Sequence, residues 1–152
     1  MAFSFNGSSD KMTWTTPTMN FGANGFSVGG WFKSNNPAAH QIITKIYDPN
    51  DVMYLRLESN GSIRFQCRGS NPVDNGNLLS TSTGLDDDTW QHVVGVFDDP
   101  GNTSHLYING IEEASDLSVL TTPFNPTAVD FQIGADGSST WSATPVATSS
   151  TF

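Results

Sequence analysis

Apolar and polar residues alternate with a period of two along most of the chain, the spacing of half-buried β-strands rather than of amphipathic helices. Met53-Tyr54-Leu55-Arg56-Leu57-Glu58 is the clearest stretch: Met53, Leu55 and Leu57 fall on one face, Tyr54, Arg56 and Glu58 on the other. Ser59-Asn60-Gly61-Ser62 separates it from Ile63-Arg64-Phe65-Gln66-Cys67. An Asn-Gly pair between alternating strands predicts a tight hairpin with both turn residues at positive φ.

The same alternation runs through Phe26 to Lys33, Gln41 to Ile46, Trp90 to Phe97, Ser104 to Ile108, Ile111 to Glu113 and Asp130 to Ile133. Met1 to Phe5 reads as a further strand, and Asn109-Gly110 as a second tight hairpin. Gly, Pro, Asn and Asp punctuate these runs at the intervals of an all-β fold. The expected architecture is a two-sheet antiparallel β-sandwich of the jelly-roll, concanavalin A-like kind. Residues 1–137 form that sandwich, and residues 138–152 form an uncharged, Ser/Thr-rich C-terminal arm.

Composition narrows the partners. A chain of 152 residues with 10 Phe, 4 Trp and 3 Tyr is large enough and apolar enough for one packed domain. Its formal charge of −9 disfavours nucleic acid and anionic membrane surfaces, which need Lys and Arg. Carboxylates are nevertheless good oxygen ligands for a hard cation. The single cysteine, Cys67, forms no intrachain disulfide and reads as a small buried hydrophobe. No basic and apolar leader is visible, and the expectation is a soluble protein that is not exported by a leader.

Catalytic chemistry is poorly represented. Glycoside hydrolysis needs two carboxylates facing each other across a cleft. The three glutamates are Glu58, which stands beside Arg56, and Glu112 and Glu113, which neighbour each other and so point to opposite faces of a strand. His40, His92 and His105 are scattered, and no serine or cysteine has the spacing of a nucleophile elbow. A non-catalytic protein is expected.

Four stretches carry a family resemblance: Phe3-Ser4-Phe5-Asn6-Gly7-Ser8-Ser9-Asp10, Phe26-Ser27-Val28-Gly29-Gly30-Trp31-Phe32, Trp90-Gln91-His92-Val93-Val94-Gly95-Val96-Phe97-Asp98 and His105-Leu106-Tyr107-Ile108-Asn109-Gly110. Their order and spacing resemble the laminin-G-like branch of the concanavalin A-like lectin/glucanase superfamily. The chain departs from that family at its end, where the closing strand, usually an F-x-G-x-I-D-E-V-R-I-Y pattern, has no match. Three explanations stand open: Val146 to Phe152 is a degenerate substitute, a partner chain supplies the pairing, or the chain is a fragment.

The resemblance implies a rim calcium site, for which Asn6, Asp10 and Asp136 are the candidate ligands. It also implies glycan recognition, for which Trp14, Tyr47 and Trp141 are the candidate aromatic contacts, while Trp31 and Trp90 are read as core. The acidic loops at Asp48 to Asp51 and Asp86 to Asp88 read as solvated turns. The arm, with Val146 and Phe152, is a candidate strand for this sandwich or for a neighbour. The leading functional reading is a phage virion structural protein: capsid decoration, neck or fibre, displayed at the virion surface. Its partners are other virion proteins or copies of itself, with glycan-binding capacity. The alternative is a carbohydrate-binding, lectin-like module of a larger secreted or cell-surface protein.

Overall fold

The computed structural model describes residues 2–5, 10–15, 25–35, 41–47, 51–69, 76–98, 102–117 and 130–134. Every regular element among them is a strand: β1 (Lys11–Thr15), β2 (Phe26–Phe32), β3 (Gln41–Tyr47), β4 (Val52–Leu57), β5 (Ile63–Arg68), β6 (Gly76–Leu79), β7 (Gln91–Asp98), β8 (Thr103–Ile108), β9 (Ile111–Leu117) and β10 (Asp130–Gly134). They form two antiparallel sheets, one ordered β1-β10-β3-β4-β5-β6 and one ordered β2-β7-β8-β9.

Alternation builds the core. In β5 and β7 every second residue is buried, so Ile63, Phe65 and Cys67 from one sheet meet Val93 and Phe97 from the other. Leu55 and Leu57 of β4 and Leu106 of β8 complete this centre, each at 0% or 1% exposure. Side chains of this size contribute about 1.5–3 kcal/mol each when fully buried. Cys67 is a free, buried thiol, as its strand position implies.

The two tight turns differ. At Asn109-Gly110 both residues have positive φ, 51° and 83°, as an Asn-Gly turn predicts. At Asn60-Gly61 only Gly61 does, at 74°. There the Gly61 N–H donates to the Glu58 carbonyl at 2.9 Å and the Glu58 N–H to the Ser62 carbonyl at 2.8 Å. That is a three-residue loop closed by a left-handed glycine. Asn60 spends its side chain instead, accepting from the Ser62 N–H at 3.1 Å and the Ser62 hydroxyl at 2.7 Å.

Three sequence expectations change. Residues 2–5 are not a strand, and among the described residues no strand pairs with them. β1 and β6 were not anticipated: β1 is short and rich in threonine, and β6, Gly-Asn-Leu-Leu, breaks the alternation. Trp31 and Trp90 are not core; they are 65% and 42% exposed. In β2 the inward positions are Phe26, Val28 and Phe32, and the two-residue period turns Trp31 outward.

The sheets also differ in width. β6 lies over β8 and β9, so the sheets are aligned at that end. Among the described residues β10 and β1 end the wider sheet on the other side, and β2 ends the narrower one.

Candidate functional site

The outer face of the four-stranded sheet gathers aromatic and polar side chains. Trp31 of β2 pairs with His92 of β7, and their rings lie 5.0 Å apart at 39°. The His92 N–H donates to the Asn109 side-chain oxygen at 2.9 Å, and its carbonyl accepts from the Asn109 N–H at 2.8 Å. The β8–β9 turn therefore anchors the strand that carries the imidazole.

Two residues along, Val94 pairs with Gly29 on one side and Tyr107 on the other. Tyr107 in turn pairs with Glu112 of β9. His105 and Tyr107 of β8 stack at 6.3 Å and 23°. The Glu112 carboxylate joins them: His105 Nδ1 lies 3.0 Å from Oε1, and the Tyr107 hydroxyl donates to Oε2 at 3.4 Å.

A β-bulge makes this possible. The β8–β9 register shifts between Leu106, opposite Ala114, and Tyr107, opposite Glu112, so Glu113 is the extra residue. Glu112 faces outward, while Glu113 accepts from the N–H groups of Thr81 and Ser82 at 3.1 and 2.9 Å and from both hydroxyls. The hydrogen bond with His105, then that with Ser115, holds the Glu112 carboxyl below its ordinary range. Partial burial, then the Glu112 charge, pushes the Tyr107 phenol up, so it stays a donor.

Strand spacing and rise put the Trp31 and Tyr107 positions roughly 12 Å apart on this face. Between them lie Val94 and the side-chain-free Gly29. The result is a low, flat floor with an aromatic ring at each end and a carboxylate–imidazole pair beside one of them.

A second feature is an apolar groove of about 650 Å³ where the wider sheet overhangs the narrower one. Met12, Ile43, Ile133, Phe3, Phe5, Trp31 and Trp90 are among the residues that line it. None of the described residues that line it is charged or titratable.

The residues expected to bind are placed unevenly. Trp14 on β1 is 71% exposed and pairs with Phe131 of β10. Tyr47 ends β3, its backbone opposite Val52 and Asp130. Trp141, Val146 and Phe152 lie outside the described residues, and so do Asn6 and Asp136. Asp10, the remaining calcium candidate, is exposed just before β1. Among the described residues no three His, Cys, Asp or Glu side chains gather into a metal-binding group. At Asp86 to Asp88 the turn reading holds: Asp87 accepts from the Thr89 N–H at 3.0 Å and hydroxyl at 2.6 Å, and Asp88 pairs with Lys33 at 3.1 Å.

Each glutamate has its own partners. Glu58, 8% exposed, is held by Arg56 at 2.7 Å and by Arg64. Glu112 and Glu113 are committed as above. They do not form the facing carboxylate pair of a glycoside hydrolase.

Fold and surface together define a two-sheet, lectin-type sandwich. A laminin-G-type family model described as the concanavalin A-like lectin/glucanases superfamily matches residues 6–147, and the chain belongs to that family. No curated protein matches the sequence. Among solved structures, the CBM40 module of Ruminococcus gnavus IT-sialidase bound to alpha2,3 sialyllactose is similar at a TM-score of 0.67 and 13% identity, over 82% of this chain and 71% of that one. Domains LG4-5 of the mouse laminin alpha1 chain give a TM-score of 0.68 at 15% identity, over 90% of this chain and 35% of that one. A heptameric SAP-like pentraxin from Limulus polyphemus gives 0.60 at 14% identity, over 86% and 62%. At such identities the likeness is one of fold.

Proposed function

We propose that this chain is a non-catalytic binding module that holds a short, neutral glycan on the outer face of its four-stranded sheet. The observation that carries this reading is the Trp31–His92 pair and the Tyr107–His105–Glu112 cluster on one open face. Aromatic faces cover the apolar side of a sugar ring, and planar polar groups bond its hydroxyls. A carboxylate in the cluster and a net charge of −9 favour neutral sugars over sialylated ones. A glycan array with neutral and sialylated arms tests this. Binding to neutral oligosaccharides supports it; binding to none, or to sialylated glycans alone, contradicts it.

The setting we propose is a virion surface, with the chain as capsid decoration, neck or fibre among virion proteins and copies of itself. A shallow, open face binds weakly on its own, and repeated display converts weak contacts into avidity. Detection of the chain in purified particles, or capsid and tail genes beside its own, supports this setting. The second reading is a carbohydrate-binding module of a larger secreted or cell-surface protein. It is favoured by the domain's relation to the laminin fragment, of which it spans 35%. A reading frame that continues into secreted domains would select it.

A further inference from the structure

The outer face of the six-stranded sheet carries the opposite charge from the chain as a whole. The chain has six Lys and Arg against fifteen Asp and Glu, yet Lys45, Arg56, Arg64 and Arg68, four of the six, fall on this face. Alternation puts them there. Ile63, Phe65 and Cys67 of β5 are buried in the core, so Arg64, Gln66 and Arg68 turn outward. On β4 the core takes Met53, Leu55 and Leu57, which turns Tyr54 and Arg56 outward. Pairing then gathers the set: Arg56 stands opposite Arg64, Lys45 opposite Tyr54, and Gln66 between Tyr54 and Asn77.

Arginines directly opposite each other repel. Glu58 offsets one of the two charges by accepting from both Arg56 and Arg64. The Arg56 guanidinium lies 5.0 Å from the centre of the Tyr54 ring. Burial pushes the Tyr54 phenol up, against the pull of Arg56, Arg64 and Arg68, so it stays a neutral donor beside three cations. Among the described residues no carboxylate pairs with Arg68. Four cations and one carboxylate leave three positive charges among the described side chains of this face. Lys45 and Tyr54 are buried at its centre, Arg64, Gln66 and Arg68 are half-buried, and Asn77 is exposed. Arg64 and Arg68 lie four residues apart on one strand, roughly 13 Å, with Gln66 between them.

We propose that the outward face of β5 is a second binding site, for an acidic saccharide: Arg68 takes a carboxylate or sulfate, and the Gln66–Asn77 pair takes neighbouring hydroxyls. A guanidinium fork matches the geometry of such an oxyanion. Side-chain amides both donate and accept, as sugar hydroxyls require. The overall charge of −9 does not prevent this. Screening reduces distant charges over about 8 Å at physiological salt, so the cations in contact with the ligand govern. The site goes beyond the neutral-glycan reading and shares no residue with it.

Calorimetric titration of the full chain with three probes tests this: an oligogalacturonide, its uncharged methyl ester and a sulfated galactan fragment. At least one anionic probe should bind, and which one binds names the anion. Its affinity should fall with added salt and at least tenfold in Arg68→Gln, with an unchanged circular-dichroism spectrum. Lys33→Gln removes the same charge at the Asp88 pair, off this face, and should leave the affinity within twofold. Trp31→Ala should also leave it within twofold. Any binding of the methyl ester should behave the other way, sensitive to Trp31→Ala and indifferent to Arg68→Gln. Binding of neither anionic probe would overturn the proposal. So would equal affinity in Arg68→Gln, or an equal loss in Lys33→Gln, which would reduce the effect to overall charge. Failure of the neutral-glycan reading shows instead as no neutral binding, with the Arg68-dependent binding intact.

Discussion

Trp31 and His92 face each other across the β2–β7 ladder with their rings 5.0 Å apart, yet Trp31 keeps 65% of its surface open. A large aromatic held this way is fixed in place while most of its face stays in water. The residue therefore contributes little to folding. Trp31→Ala should cost no more than about 1 kcal/mol, the order of one aromatic pair. Urea unfolding checks this, and a loss of several kcal/mol would mean that Trp31 belongs to the core.

Glu58 is a different kind of residue. It is almost buried, and its carboxylate answers two arginines. Glu58→Gln removes the charge from both interactions and leaves Arg56 and Arg64 facing an amide. The expected cost is about 1.5–3 kcal/mol, the range for hydrogen bonds to charged groups. In urea the midpoint should fall with little change in slope; an unchanged midpoint would contradict the role given to Glu58.

The same group sets a pH dependence. Burial works to raise the Glu58 pKa, but hydrogen bonds and charge from Arg56 and Arg64 outweigh it and bring the group below the ordinary 4.5. A carboxyl whose folded pKa is depressed stabilises the fold above its unfolded value and loses that contribution as pH falls through the folded one. The melting temperature should therefore drop on acidification below about pH 4.5, and less steeply in Glu58→Gln. Asp87, Glu112 and Glu113 are lowered too, so the difference between the two proteins is the informative quantity. Identical slopes in scanning calorimetry would remove Glu58 from the account.

Two glycines make a paired test of the packing. A Cβ on Gly95 would run into the ring of Phe65 from the opposite sheet, whereas a Cβ on Gly30 meets nothing within 4 Å. Gly95→Ala should destabilise by about 1–3 kcal/mol through overpacking. Gly30→Ala should be close to neutral. Equal effects would show that the sheets do not approach through Gly95.

Much of this was legible from residue order. The two-residue period located eight of the ten described strands, because one buried face imposes alternation. It also held the answer for Trp31, since counting in twos from Phe26 turns the tryptophan outward; size alone suggested the core. The opposite orientations of Glu112 and Glu113 followed from their adjacency, but the bulge that gives each its partners is a register event with no signature in either strand. β6 escaped notice because a short edge strand is defined by its neighbour rather than by its own pattern. The outer-face site was missed for a related reason: Trp31, His92, Tyr107 and Glu112 come from four strands and meet only through pairing. The groove depends on the relative widths of two sheets, which no local pattern encodes.

Binding to the outer face is the claim on which the functional account stands. The direct measurement is titration of the full chain with a neutral oligosaccharide selected on the array, alongside Trp31→Ala and Tyr107→Ala. The natural chain should bind measurably and each variant should lose at least tenfold in affinity, with both variants still folded. Equal affinity in all three proteins would contradict it.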